Sequence, residues 1–191
     1  MTHYEERLEQ DLGEIRSRIR AVGDLIEDQV RDAIQALLNM DPDLANHVIL
    51  KDRIVNRETR AVDELSHKFV VRHLPVAGHL RFASAAKSVA MELERVGDYA
   101  VTMCRHSLRC STPPPDRVAK DLDLLGQQSR FSLSEALKAF YDSDVERAQK
   151  ALGLTAPLDT THDSAFEDLV SEGEARKQPI RDLFALSLIH I

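Results

Sequence analysis

The chain has 191 residues, of which 43% are hydrophobic, 30% are charged and 5% are aromatic, with no tryptophan. This composition is typical of a soluble, all-helical protein that is long enough to bury a core. Its 25 basic and 32 acidic residues give a net charge of −7. No basic block collects in one segment and no apolar run reaches the roughly 20 residues that cross a bilayer, so nucleic-acid binding and membrane insertion are not expected.

Helical periodicity dominates the first half of the chain. Apolar residues recur every three or four positions from Leu8 to Leu37, which predicts a helix of about nine turns. Breaks are predicted at MDPDLA, where a proline and an Asp cap begin the next helix, and at HLPVAG, which contains Pro75 and Gly78. The predicted helices run from about Leu8 to Asn39, from Asp43 to Arg72 and from Leu80 to Arg109.

The second half repeats this plan after the segment CSTPPPD, which three consecutive prolines keep out of a helix. A fourth helix begins near Val118, a fifth reaches about Arg176 with interruptions at Gly153 and Pro157, and a sixth spans Ile180–Ile191. Internal repetition predicts two tandem three-helix bundles. The expected organisation is a first repeat at 1–111, a Pro-rich linker at 112–117, and a second repeat at 118–191 that is truncated in its last helix.

A row of polar residues interrupts the apolar face of the second helix. Asp52, Asn56, Thr59 and Asp63 lie at i, i+4, i+7 and i+11, so they form one narrow row beside apolar positions. No cation lies one turn from Asp52 on the same helix. An ion pair within the helix therefore does not explain the presence of Asp52 in this row.

The third helix carries a second pair of carboxylates, Glu94 and Asp98. Asp52 and Asn56 lie 23 and 19 residues before Pro75, and Glu94 and Asp98 lie 19 and 23 residues after it. If the two helices fold back antiparallel about Pro75, Asn56 comes level with Glu94 and Asp52 with Asp98. Four oxygen-bearing side chains would then converge, and a hard cation such as Mg, Ca, Mn or iron would relieve their repulsion. A solvated face of ordinary surface charge is the alternative interpretation.

The second half repeats the i, i+4 spacing at Asp159 and Asp163, which lie 20 and 16 residues before Pro179. By the same hairpin argument, their facing partners would lie near position ~195–199, beyond Ile191. A second metal site is therefore expected to be half missing from this chain. Whether Asp159 or Asp163 is the ligand stays open.

Other chemistry is less well supported by the residues. Glu64 and His67 form an ExxH pair of the kind used by di-iron bundles, but a second copy does not occur. The sequence contains no phosphate-cradling glycine loop, zinc-protease motif or nucleophile elbow, so nothing indicates an enzyme. Cys104 and Cys110 match no metal knuckle, redox pair or disulfide framework and are interpreted as two buried free thiols in a reducing cytoplasm.

Two long stretches resemble a known family. Residues 80–109, LRFASAAKSVAMELERVGDYAVTMCRHSLR, are similar to the signature of the PhoU family, in which a helix carries a Glu-Arg-hydrophobic-Gly-Asp motif. Residues 7–56 resemble the family's first helix, its Asp-rich turn and the DxxxN start of its second helix. The resemblance is strong over 4–110 and looser after 116.

This resemblance implies two three-helix bundles, each with paired (Glu/Asp)-x-x-x-Asp motifs that hold iron or zinc. Three residue pairs of this chain match those positions. The chain departs from the family pattern in two ways. Asn56 replaces a carboxylate, and the second Glu-Arg-hydrophobic-Gly-Asp motif is absent. The terminal LSLIHI resembles translated sequencing-adapter sequence, so a partial sequence is expected. The implied metal ligands are Glu94 and Asp98, the facing pair Asp52 and Asn56, and Asp159 and Asp163 in the second repeat.

The resemblance also implies a function. PhoU-like proteins are cytoplasmic, non-enzymatic negative regulators of phosphate uptake, peripheral to the inner membrane through their partners. The expected partners are the ATPase subunit of the phosphate ABC transporter, the phosphate sensor histidine kinase and a second copy in a homodimer. Two alternatives from other classes are a metal-dependent hydrolase or oxidase on a carboxylate-rich bundle, and a metal-free helical scaffold.

Overall fold

The computed structural model describes residues 3–176, and over that range the chain forms six helices and no strand. The all-α fold class expected from the periodicity is therefore confirmed. The predicted sixth helix, Ile180–Ile191, lies outside the described residues. The helices are α1 (His3–Leu38), α2 (Pro42–His73), α3 (Ala77–Ser107), α4 (Asp116–Asp142), α5 (Val145–Gly153) and α6 (Thr155–Arg176).

The helix ends follow local chemistry. At the start of α2, Asp41 Oδ1 accepts hydrogen bonds from the backbone N–H groups of Asp43 and Leu44, both at 3.0 Å. These bonds satisfy donors that the first helical turn leaves without partners. The Pro-rich segment stays non-helical up to Pro115, which precedes the first residue of α4.

The break in the second half differs from the prediction. Helix α5 ends at Gly153 and α6 begins at Thr155, so only Leu154 separates them. The predicted interruption at Pro157 is wrong. That proline lies in the first turn of α6, where its missing N–H removes no intrahelical hydrogen bond.

The chain divides into two compact units that are discontinuous in sequence. Unit 1 contains the described residues up to Ile26 together with Asp52–Gly97. Unit 2 contains Glu27–Lys51 together with the described residues from Asp98 onward. The division into repeats at 1–111 and 118–191 concerns internal sequence similarity and stays a prediction.

Unit 1 is built around a tightly packed face of α3. Most positions of α3 that point into the core of unit 1 are alanines, with Leu93 the large exception, whereas α1 and α2 contribute large aliphatic and aromatic side chains. Small side chains at a contact allow helix axes to approach closely. The buried apolar set comprises Leu8, Leu12, Ile15, Ile19, Val22 and Ile26 of α1, Val55, Val62 and Phe69 of α2, and Ala83, Ala86, Ala90 and Leu93 of α3.

In unit 2, α4 packs closely on the C-terminal part of α1. A Cβ atom built at Gly126 would lie 2.7 Å from Cδ1 of Ile34, closer than two carbon atoms pack. Glycine therefore allows α4 to lie against Ile34. Helix α4 is also tied to α5 by a 3.0 Å bond from Arg147 Nε to Glu135 Oε2.

The turn between α2 and α3 has an unusual backbone. Leu74 and Ala77 both have positive φ angles, of 43° and 48°, although neither is glycine. Pro75 between them is buried. The N–H of Leu74 donates to the carbonyl of Val70 at 3.0 Å, which closes the end of α2.

Candidate functional site

The antiparallel register predicted around Pro75 is present in unit 1. Nζ of Lys87 lies 2.8 Å from Oδ1 of Asp63, and these residues lie twelve positions after and twelve positions before Pro75. Equal distances from the turn are therefore level with each other. By the same register, Asn56 of α2 comes level with Glu94 of α3.

The polar row on α2 is satisfied largely within its own helix. Nδ2 of Asn56 donates to Oδ2 of Asp52 at 2.8 Å. The hydroxyl of Thr59 donates to the carbonyls of Val55 and Asn56 at 3.1 and 3.2 Å. The periodicity predicted a row inside the apolar face. Asp52 and Asn56 are half-buried and Thr59 is buried, so the row follows the border of that face.

Arginines surround Asn56 on the surface. It lines a depression of about 470 Å³ together with Arg53, Arg57 and Arg60. Three guanidinium groups make the local potential more positive, which opposes cation binding by the nearby oxygens. All three lie on α2 itself, at i−3, i+1 and i+4 from Asn56, so the sequence contained this signal and the ligand prediction overlooked it.

The carboxylates on α3 differ in exposure. Glu94, in unit 1, is half-buried, and Asp98, in unit 2, is exposed. Gly97 between them is buried, and the backbone carbonyl of Asp98 accepts a 2.8 Å bond from the hydroxyl of Thr102. The two side chains therefore stand at the outer edge of the buried face of α3.

Of the pair Asp159 and Asp163, only Asp159 lines a cavity in unit 2. This cavity has a volume of about 280 Å³. The side chain of Asp163 is 82% exposed and lies 3.4 Å from Nδ1 of His162. The cavity walls are largely apolar and are formed by Ile34, Leu37, Met103, Leu122, Leu125, Gly126, Ser129, Leu158, Asp159 and His162.

Metal binding stays a prediction at all six positions. Over residues 3–176, no group of three or more His, Cys, Asp or Glu side chains is arranged to hold a metal ion. In the described conformation, Asn56 also turns its amide nitrogen toward Asp52. Its oxygen could join a ligand set with Asp52 only after the amide rotates.

One charged cluster in unit 1 was not anticipated from the sequence. Oδ2 of Asp11 accepts a 2.6 Å bond from Nη1 of Arg72 and lies 2.8 Å from Nε2 of the buried His73. Burial raises the pKa of Asp11, but the hydrogen bonds from His73 and Arg72 outweigh it and hold the pKa below its usual value. Partners more than 60 positions apart leave no periodic signal in the sequence.

A second unanticipated cluster joins α4 to α6. Burial, followed by a hydrogen bond with Asp168, raises the pKa of Asp121 above its ordinary value, although Arg117 opposes this rise. Arg117 also pairs with Asp168. The nearby carboxylate of Asp168 disfavours the charged form of Asp121, and so adds to the effect of burial on its pKa.

These features define an all-helical protein whose charged residues lie along helix faces. The family model of the PhoU domain matches residues 19–106. The chain is 31% identical over 169 residues to the phosphate-specific transport system accessory protein PhoU of Edwardsiella tarda, covering 88% of this chain and 70% of that protein. The chain belongs to the PhoU family.

Two further comparisons agree with this assignment. The PhoU homolog of Pseudomonas putida, also a phosphate-specific transport system accessory protein, is 30% identical over 170 residues, or 88% of this chain and 66% of that protein. The crystal structure of PhoU from Pseudomonas aeruginosa superposes with a TM-score of 0.89 at 27% identity, covering 95% of this chain and 87% of that one. The chain thus spans about two thirds of the length of its sequence relatives.

Proposed function

We propose that this protein is an accessory protein and negative regulator of phosphate-specific transport, and that it acts by binding other proteins and not by catalysis. The observation that carries the proposal is the similarity, over 88% of the chain, to relatives named as accessory proteins of such a system. Long helices with charged outer faces suit this role, because they offer broad docking surfaces.

The proposed partners are the ATPase subunit of a phosphate ABC transporter, a phosphate sensor histidine kinase and a second copy of the chain. None of the described helices is long and apolar enough to cross a membrane. The proposed location is the cytoplasm, at the inner membrane through these partners.

The function is testable in a strain that lacks the gene. In high phosphate, the deletion is expected to raise alkaline phosphatase activity, and the full-length gene supplied in trans is expected to restore repression. Unchanged phosphatase in a host whose transporter and kinase are intact would contradict the proposal. Viability and growth rate of both strains serve as controls.

We also propose that the protein binds a metal ion. The proposed ligands are Asp52, Asn56 and Glu94 of unit 1, Asp98 of unit 2, and Asp159 or Asp163 further along the chain. The support for this proposal is the register set by Asp63 and Lys87. Iron or zinc is the proposed ion. When bound, the ion would neutralise carboxylates and supply a positive charge to which phosphate or a partner carboxylate could bind.

The metal proposal is tested by elemental analysis of the purified full-length protein. Glu94→Ala with Asp98→Ala is expected to reduce the bound metal at least fivefold. The control is Glu92→Ala, since Glu92 is exposed on the same helix and pairs with Arg95. Equal metal content in the double variant would contradict the site, and metal-dependent hydrolytic or redox turnover would favour the enzyme alternative.

A further inference from the structure

Exposed apolar side chains cluster at the turn between α2 and α3. Leu74 and Val76 are each 80% exposed and Val71 is 78% exposed, and Leu80 in the first turns of α3 is also exposed. Single exposed apolar residues are common on protein surfaces. Four within ten positions around one turn form a concentrated apolar surface, which is typical of an interaction site. We refer to Val71, Leu74, Val76 and Leu80 as the apolar tip.

The backbone of the apolar tip is strained. Leu74 and Ala77 have φ angles of 43° and 48°, a left-handed conformation that non-glycine residues rarely adopt. A left-handed residue is a common way to end a helix, and Met40 and Ser143 have this conformation after α1 and α4. Here, the two left-handed residues turn the chain sharply on both sides of Pro75 while the apolar side chains of the tip remain exposed.

Buried contacts hold the base of the turn in place. The hydroxyl of Tyr4 donates to the carbonyl of His73 at 2.8 Å. The side chain of His73, only 2% exposed, lies against Asp11 and contacts the ring of Phe69 at a centroid distance of 5.1 Å. The tip is therefore ordered before binding, which removes part of the entropic cost of association.

The charges around the apolar tip have both signs. Between Glu64 and Glu92 the chain contains no Asp or Glu, so the α2 and α3 side is basic, with exposed His79 and Arg81. The α1 side is acidic, because exposed Glu5 and Glu6 directly follow Tyr4. An anionic bilayer would favour a uniformly basic rim. An apolar centre with a rim of both signs matches the anatomy of protein–protein interfaces.

We propose that the apolar tip docks into an apolar socket on a protein component of the phosphate transport system. Leu74 and Val76 fill the socket. Carboxylates at one side of its rim face Arg81 and His79, and basic groups at the other side face Glu5 and Glu6. This inference rests on the proposed function, since that function supplies the partner.

The test measures binding of the full-length protein to the purified phosphate transport complex of the same host in lipid nanodiscs, by biolayer interferometry. The test variant is Leu74→Asn with Val76→Ser. Asparagine tolerates positive φ better than leucine, so this variant is expected to unfold at the same temperature as the wild type or higher, while its affinity falls at least tenfold. The matched control is Met91→Ser, because Met91 is an exposed apolar residue of unit 1 outside the tip. Its affinity should stay within twofold of the wild type.

The outcomes separate this proposal from the proposed function. If the wild type does not bind the complex, the proposed function fails and the docking surface with it. If the wild type binds and the Leu74→Asn, Val76→Ser variant binds equally well, only the role of the apolar tip is overturned. If the wild type binds empty nanodiscs equally well and the variant does not, the tip contacts lipid and the protein socket is overturned.

Discussion

Single carboxylates contribute in opposite directions to the stability of this protein. Asp11 has a pKa below its usual value because hydrogen bonds from His73 and Arg72 outweigh the effect of burial. A pKa that is lower in the folded state means that the charged form stabilises the fold. The contribution is present above the ordinary Asp pKa and is lost as pH falls through the lowered value.

Asp11→Asn is therefore expected to destabilise the protein at pH 7 by about 1 kcal/mol, the size expected for a partly exposed, charge-assisted hydrogen-bond pair. The difference from the wild type should shrink toward pH 3. Urea unfolding monitored by circular dichroism at both pH values measures it. The control is Glu9→Gln, and an Asp11→Asn effect of equal size at both pH values would contradict the assigned charge.

Asp121 behaves in the opposite way. Burial and the hydrogen bond with Asp168 raise its pKa, so ionisation of Asp121 opposes folding. Asp121→Asn is expected to raise Tm at pH 7 by about 2 °C, as a gain below 1 kcal/mol does in a chain of this size. The gain should disappear below about pH 4, where the wild-type carboxyl is protonated in both states.

Calorimetric scans across this pH range test the expectation for Asp121. Glu167→Gln is the matched control, because Glu167 is an exposed carboxylate on α6. A Tm that falls at pH 7 in Asp121→Asn would show that the aspartate stabilises the contact between α4 and α6 as a charged group.

The two cysteines should differ in reactivity. Burial, with a smaller contribution from Asp32, raises the pKa of Cys104 to about 12, whereas Cys110 is only half-buried. Because the thiolate is the reactive form, a disulfide reagent at pH 8 is expected to label Cys110 in the folded protein and Cys104 only after unfolding. Cys104→Ala should keep the fast phase and Cys110→Ala should lose it. A fast phase that survives in Cys110→Ala would contradict this assignment.

At the scale of elements, two glycines in helices should respond oppositely to alanine. A Cβ atom added at Gly13 in α1 would meet no atom within 4 Å, whereas one added at Gly126 in α4 would meet Ile34 at 2.7 Å. Alanine stabilises an exposed helix position by about 1 kcal/mol relative to glycine. Gly13→Ala should show this gain. Gly126→Ala should instead lose about 1 kcal/mol, because overpacking outweighs helix propensity.

A double-mutant cycle tests the contact at Gly126. Ile34→Val removes the Cδ1 atom that the new methyl group would meet, so Gly126→Ala should cost less in that background. Free energies of unfolding from urea titrations of the four proteins give the coupling. Additive effects would mean that the close approach to Ile34 does not limit this position.

Local features of the sequence predicted most of the helices, because their signals are local. The apolar positions from Leu8 to Leu37 that define the stripe of α1 are buried, and Asp41 caps α2 through its own side chain. Equal counting from Pro75 also predicted the register seen at Asp63 and Lys87. A hairpin with a short turn leaves little freedom in register, so counting succeeds there.

Contacts between residues that are distant in sequence could not be predicted in this way. The pairing of Asp11 with His73 depends on side-chain directions across helices, which a periodic pattern does not encode. The arginines around Asn56, by contrast, lie on α2 within four residues of it and could have been found from the sequence. Pro157 was misassigned because proline is tolerated in the first turn of a helix and breaks only later turns. The metal-ligand prediction used residue spacing and the family resemblance, and it stays a prediction.

At the scale of the whole molecule, acidic net charge and a basic hairpin coexist. The chain carries −7 overall, yet the stretch around the α2–α3 turn has no acidic residue between Glu64 and Glu92. Net charge keeps such a protein dispersed, while a local patch of the opposite sign can orient its encounter with a partner. This charge distribution suits the proposed docking of the apolar tip to a protein partner.

The close approach of α4 to α1 should affect how two positions vary among related sequences. A side chain at position 126 would occupy space that the side chain at position 34 already fills. Relatives that keep this helix contact are expected to vary at the two positions together, with a larger residue at one accompanied by a smaller residue at the other. A substitution at only one of the two positions would destabilise the contact and be selected against. The two positions should therefore covary in an alignment of relatives.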